Sequence, residues 1–312
     1  MISNFINLLV SIIRVIIGGE VAWMIYCFLT FLFWGITDLF YKLGNKEDRK
    51  YDELITGIIV GIVMGIHATI YLIINHLSIN IMEMIKYLPV SLCYIFSMVI
   101  GYRGLRHMEL SLVSPIENTS GAITSLLLII FFRDKLPPLA YLAIILVLVG
   151  IIILSIIERK EGRVVKLRKI NFLIILFPII YCLLDGMGTF LDAVYLDKLS
   201  LISEDSALLC YEYTFLIYAI ITYIYLKVKR QRVNLFKEKN KMIAAILETA
   251  GQFFYVFAMS YNSTVGATIV GSYCILSMIL SHIFLKEKLS EQKYIGLIIA
   301  ISGLVLLAFL DL

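Results

Sequence analysis

The stretch F-F-R-D-K-L at residues 131–136 returns as I-F-L-K-E-K-L at 283–289, and that return decides how the chain is read. Laying Lys135 on Lys288 sets a shift of 288 − 135 = 153 positions. The same shift places Phe131 on Phe284, Leu136 on Leu289, Tyr141 on Tyr294, Gly150 on Gly303 and Leu154 on Leu307. Upstream it places Gly35 on Gly188 and Tyr102 on Tyr255. Self-similarity at a fixed shift is the sequence signature of a duplicated unit.

Each copy is apolar nearly throughout. Hydrophobic residues make up 61% of the 312-residue chain and charged residues 16%, with a mean hydropathy of +0.93. A soluble domain carries about 25% charged residues, and roughly 20 apolar residues cross a bilayer as a helix. Ten stretches of that kind are expected, at about 20–42, 54–75, 83–102, 107–131, 139–157, 171–195, 205–226, 242–260, 265–285 and 292–310. The expected fold class is therefore an all-α integral membrane protein. A membrane β-barrel would show short alternating segments instead. The unit boundaries are 20–157 and 171–310, joined by a basic linker at 158–170. Residues 1–18 place Ser3, Asn7, Ser11 and Arg14 on one helical face, which favours an interfacial amphipathic helix over an uncleaved signal or an eleventh span.

Five spans per copy is an odd number, so the second copy enters the membrane upside down relative to the first. Inverted repeats are typical of secondary transporters, with the binding site near the midplane between the halves. Orientation follows from the basic residues: 22 of the 27 Lys and Arg fall in loops after odd-numbered spans, which should be cytoplasmic. The net charge of +4 reflects that bias and calls for no nucleic acid. The five cysteines all lie in apolar runs without metal or redox spacing.

The residues that match between the halves carry a family likeness. An aromatic-glycine step (Trp34-Gly35) lies in the first span. Acidic-Lys-Leu turns (Asp134-Lys135-Leu136 and Glu287-Lys288-Leu289) close the fourth and ninth. A glycine (Gly150, Gly303) follows in the next helix. In this order, twice over, the chain resembles the drug/metabolite transporter superfamily and, within it, the ten-span EamA-type branch. It departs at Phe132-Arg133-Asp134-Lys135, where the family usually has a glycine-glutamate-arginine turn. The resemblance implies transport of a small solute across the plasma membrane. The family's substrates are too diverse to name one.

Polar residues inside the spans point to a path. Helical spacing groups Trp34 with Asp38, Tyr181 with Asp185, and Glu248 with Gln252 and Tyr255. Glu117 and Asn118 lie beside Pro115 in the fourth span, and Glu212 in the seventh. Proline frees a backbone carbonyl, which a bilayer tolerates where it lines a cavity. A charge at membrane depth needs a functional or structural partner. Candidate substrate- or proton-binding residues are therefore Glu117, Asp185, Asn118, Trp34, Asp38, Tyr181, Gln252, Tyr255, Glu212 and Glu248. Counting along the spans puts Glu117 and Asp185 near the midplane and Asp38 and Glu248 nearer the cytoplasmic ends. Acids among aromatic rings, with Lys and Arg confined to loops and helix ends, lean towards a cationic or zwitterionic amine. The same acids could instead carry coupling protons. The Gly57, Gly61, Gly65 ridge reads as helix packing and His67 as a satisfied side chain. No catalytic signature, metal site or cofactor motif is expected. The expected partners are a small-molecule substrate, protons and membrane lipids, in a monomer or homodimer. The competing class is a membrane-embedded enzyme using these carboxylates as acid and base on a lipid-linked substrate.

Overall fold

The computed structural model describes residues 19–46, 48–133, 136–165, 172–231, 233–287 and 291–309. The interfacial helix expected over 1–18, most of the acidic-Lys-Leu turns (Asp134, Lys135, Lys288, Leu289) and residues 166–171 of the linker region lie outside them. Every regular element among the described residues is helical.

The first half begins with α1 (Gly19–Gly44), α2 (Asp52–Ile74) and α3 (Ile81–His107). Asp52 and Glu53 sit in the first turn of α2, where the amide dipoles favour negative charge. Asn80 caps α3 by accepting from the Met82 amide at 3.0 Å. The fourth span is two pieces, α4 (Leu110–Glu117) and α5 (Thr119–Phe132), broken at Asn118 three residues beyond Pro115. The carboxylate of Glu287 accepts from the amides of Leu110 and Ser111, at 3.1 and 2.9 Å, and so caps α4 from the other half. Helix α6 (Pro138–Val165) starts on proline, whose missing N–H would have no partner there. It runs into the stretch expected as linker.

In the second half, α7 (Phe172–Ala193) widens into a π turn at Val194–Lys198. Helix α8 (Glu204–Val228) follows. Lys239–Leu285 is 47 residues of nearly continuous helix, comprising α9 (Lys239–Gly271), α10 (Cys274–Leu280) and a π turn at Ser281–Leu285. At 1.5 Å per residue such a rod would be roughly 70 Å long, more than twice a bilayer core. It turns at Asn262, whose φ of −149° and ψ of 80° are not helical. Helix α11 (Glu291–Ala308) ends the described chain.

Among the described residues, seven helical stretches are long and apolar enough to cross a membrane. The burial pattern agrees with that use. Ile66, Ile73, Phe96, Ile130, Ile221 and Ile298 are exposed, while Thr30, Ser97, Glu117, Asp192 and Glu212 are buried. A water-facing surface would not be made this way; a lipid-facing one is.

Packing pairs α1 with α9, α2 with α8, α3 with α7, and α6 with α11. Glycines set the closest crossings. A Cβ on Gly61 would lie 2.2 Å from the Phe215 carbonyl oxygen, which accounts for the ridge in α2. A Cβ on Gly150 would lie 2.6 Å from the Ala300 amide, and one on Gly303 2.8 Å from the Val147 amide. These two contacts exchange under the sequence shift, since 303 − 150 = 300 − 147 = 153.

Candidate functional site

A narrow, partly open cavity lies where α1, α3, α4, α7, α8 and α9 meet. Helix α1 contributes Trp34, Asp38 and Tyr41. Helix α3 contributes Tyr94, Met98, Gly101, Tyr102 and Leu105. Glu117 ends α4. Tyr181, Asp185 and Thr189 come from α7, Tyr211 from α8, and Glu248 and Gln252 from α9, with Tyr273 just before α10. Four carboxyl groups thus face one space, and no Lys, Arg or His stands among the described residues that line it.

Hydroxyl groups hold two of the acids. Ser114 and Ser277 both donate to Asp38 Oδ2, at 2.7 and 2.8 Å. Ser120 donates to Asp185 Oδ2 at 2.7 Å. Glu117 is different: it is 6% exposed and its Oε1 has no hydrogen-bond partner. Its room comes from Gly101, where a Cβ would sit 3.1 Å from Glu117 Oε1 and 2.7 Å from the Tyr181 ring. Gln252 is 1% exposed with its Nε2 also unpartnered.

Aromatic rings form the walls. Trp34 packs against α9 at Gly251, where a Cβ would come within 2.4 Å of the indole. Its Nε1 donates to the Glu248 carbonyl at 3.4 Å. The indole centroid is 5.1 Å from Tyr255 and 5.8 Å from Tyr273. Tyrosines close both ends. Towards the 44–52 turn, Tyr102 donates to the Tyr41 hydroxyl at 3.0 Å. Towards the 199–203 turn, Tyr94 shares a 2.8 Å hydrogen bond with Tyr255 and donates to Thr189 at 3.1 Å. Beyond them the Tyr87 hydroxyl donates to the fully buried Asp192.

Seven of the residues expected from sequence line this space: Trp34, Asp38, Glu117, Tyr181, Asp185, Glu248 and Gln252. Asn118 and Tyr255 line a smaller adjoining cavity with Ser120, Gly121 and Asp185. Glu212 is not brought to either. It is fully buried between α8 and α2, where His67 Nδ1 lies 2.8 and 2.9 Å from its two oxygens, so this acid is absorbed by a helix-packing pair. His67 is correspondingly a partnered side chain. Sequence reasoning missed Met98 and Tyr102 as lining residues. The signal existed for α3, because residues 94, 98, 101, 102 and 105 recur at helical spacing on one face.

Beyond Tyr41 and Tyr102 the bundle is tied by buried charge. Lys241 and Asp52, both with fully buried side chains, pair at 2.7 Å. Arg106 pairs with Glu53 and donates from Nε to the Lys46 carbonyl at 3.1 Å. Arg49 and Lys46 both reach Glu238.

A solved structure titled only "Crystal structure of protein" superposes with a TM-score of 0.64 over 92% of this chain and 96% of its own, at 10% identity, a likeness of fold alone. A curated relative, an uncharacterised solute carrier family 35 member of Schizosaccharomyces pombe, is 32% identical over 108 residues. That match spans 31% of this chain and only 21% of the relative's length. The model of the EamA-like transporter family matches twice, over residues 21–156 and 172–309, once for each half of the chain. With most of the chain matched in two copies, the protein belongs to the EamA-like transporter family.

Proposed function

We propose that this protein is a secondary active transporter that moves a small amine-bearing solute across the plasma membrane by alternating access, with cavity carboxyls carrying the coupling protons. The observation that carries this reading is the cavity itself. Asp38, Glu117, Asp185 and Glu248 converge among aromatic rings with no basic residue in the described lining. An ammonium group is attracted by both features. A sugar phosphate or other anion would meet four acids.

Two inverted five-span halves give ten crossings and a site reachable from either side. The exchange of the Gly150–Ala300 and Gly303–Val147 contacts supports a twofold relation between the halves. Tyr102 lines this cavity and Tyr255, its match under the 153-residue shift, lines the adjoining one, which supports an inverted relation. Basic loops place the 44–52 and 229–238 turns in the cytoplasm. The likeness to a solute carrier accords with small-molecule transport. A thermal-shift screen of the purified protein against primary amines, amino acids, nucleosides and sugar phosphates tests the substrate class. The expected result is a raised melting temperature with amines. Stabilisation by sugar phosphates alone would overturn the reading.

A further inference from the structure

Resting on that amine-transport reading, we propose that the cavity is built for a solute carrying two positive charges, a diamine, with Asp38 and Asp185 each taking one end. The two aspartates come from α1 and α7, the first long helices of the two halves, and line the same space. Each is held by serine hydroxyls and by no cation: Asp38 by Ser114 and Ser277, Asp185 by Ser120. Hydroxyl donors orient a carboxylate without neutralising it. A monoamine would counter one of the four lining carboxyls and a diamine two, so the diamine leaves fewer buried acids to be neutralised by protons. A zwitterion would bring its own carboxylate among four others, with no Lys, Arg or His in the described lining to receive it.

Two further side chains ask for a ligand. Glu117 Oε1 is an acceptor without a donor on a residue 6% exposed, and it faces the cavity. Gln252, 1% exposed, also lines the cavity, and its unpartnered Nε2 is a donor open to an uncharged acceptor on the solute. Buried polar atoms without partners are uncommon because each costs free energy. An ammonium group supplies the donor that Glu117 lacks. The rings of Trp34, Tyr181 and Tyr273 flank the methylene chain between the charged ends.

Isothermal titration of the purified full chain at neutral pH tests this, with 1,4-diaminobutane, n-butylamine and 4-aminobutanoate as probes. The expected ranking has the diamine bound about tenfold tighter than the monoamine, as one more charged hydrogen bond supplies. 4-Aminobutanoate should bind weakest. Asp38→Asn and Asp185→Asn should each collapse the diamine-to-monoamine ratio towards one. Equal binding of diamine and monoamine to the unaltered protein overturns the inference and leaves the amine reading standing. Binding of neither amine overturns both. The ranking in the unaltered protein decides the matter even if a variant does not fold.

Discussion

Two glycines show how much a single missing methyl group does here. Gly61 faces the backbone of α8, where a Cβ would stand 2.2 Å from the Phe215 carbonyl oxygen. Neither helix can yield locally. Gly61→Ala should therefore lose about 1–3 kcal/mol of stability by overpacking, read as a lowered melting temperature in detergent. Gly101 faces side chains that can move, the Tyr181 ring and Glu117. Gly101→Ala should leave melting nearly unchanged and weaken amine binding by about tenfold, roughly one charged hydrogen bond's worth. Titration calorimetry beside a melting curve separates the two effects. At this scale the sequence was informative about residue type. Trp34, Asp38, Glu117, Tyr181, Asp185, Glu248 and Gln252 stand out because polar groups in apolar helices are conspicuous. Counting along spans set Asp38 and Glu248 nearer the cytoplasmic ends than Glu117 and Asp185, and all four acids line one cavity. Glu212 shared the chemistry of the site acids, and only the α2–α8 crossing shows that His67 takes it.

Helices are joined at the 44–52 end by charges that no periodicity announces. The Asp52–Lys241 pair has both side chains fully buried. Lys241→Met leaves Asp52 near Arg49 but without its closest partner, and removing one member of a buried pair costs about 3–5 kcal/mol. The double variant Asp52→Asn, Lys241→Met should recover part of that loss in the same melting assay. Glu238 lies just before α9, outside the spans. Burial pushes its carboxyl up, but hydrogen bonds from Arg49 and Lys46 outweigh that and hold it below the usual range. A carboxylate lowered in the folded state contributes stability above its unfolded pKa of about 4.3. That stability is lost as pH falls through the folded value. Glu238→Gln should therefore lower the melting temperature near neutrality and flatten its fall on the acid side. The knot was illegible because its members fall at span edges, where basic and acidic residues are ordinary. The elements themselves were legible from apolar length. The break at Pro115 also had a sequence signal, while the turn at Asn262 was read only as a short gap between spans.

For the whole molecule, the contacts already fix which turns share a face. Lys46 and Arg49 reach Glu238, so the 44–52 and 229–238 turns lie together. The Tyr71 hydroxyl donates to Asp205 at 2.6 Å, so the 75–80 and 199–205 turns lie together at the other face. In intact cells a membrane-impermeant thiol reagent should label Ile79→Cys and Leu201→Cys and spare Phe236→Cys, all three being exposed sites. The duplication was readable because the shift of 153 preserves glycines and turn residues at close crossings, where little else fits. The central claim is that cavity carboxyls couple amine movement to protons, and one measurement addresses it most directly. Purified protein in sealed vesicles is given a labelled amine and a pH gradient, beside Glu117→Gln and Asp185→Asn variants that keep the normal melting temperature. The account predicts gradient-driven amine movement in the unaltered protein, lost by about tenfold or more in both variants, as loss of a buried charged partner implies. Gradient-driven movement at the normal rate in both variants would contradict it.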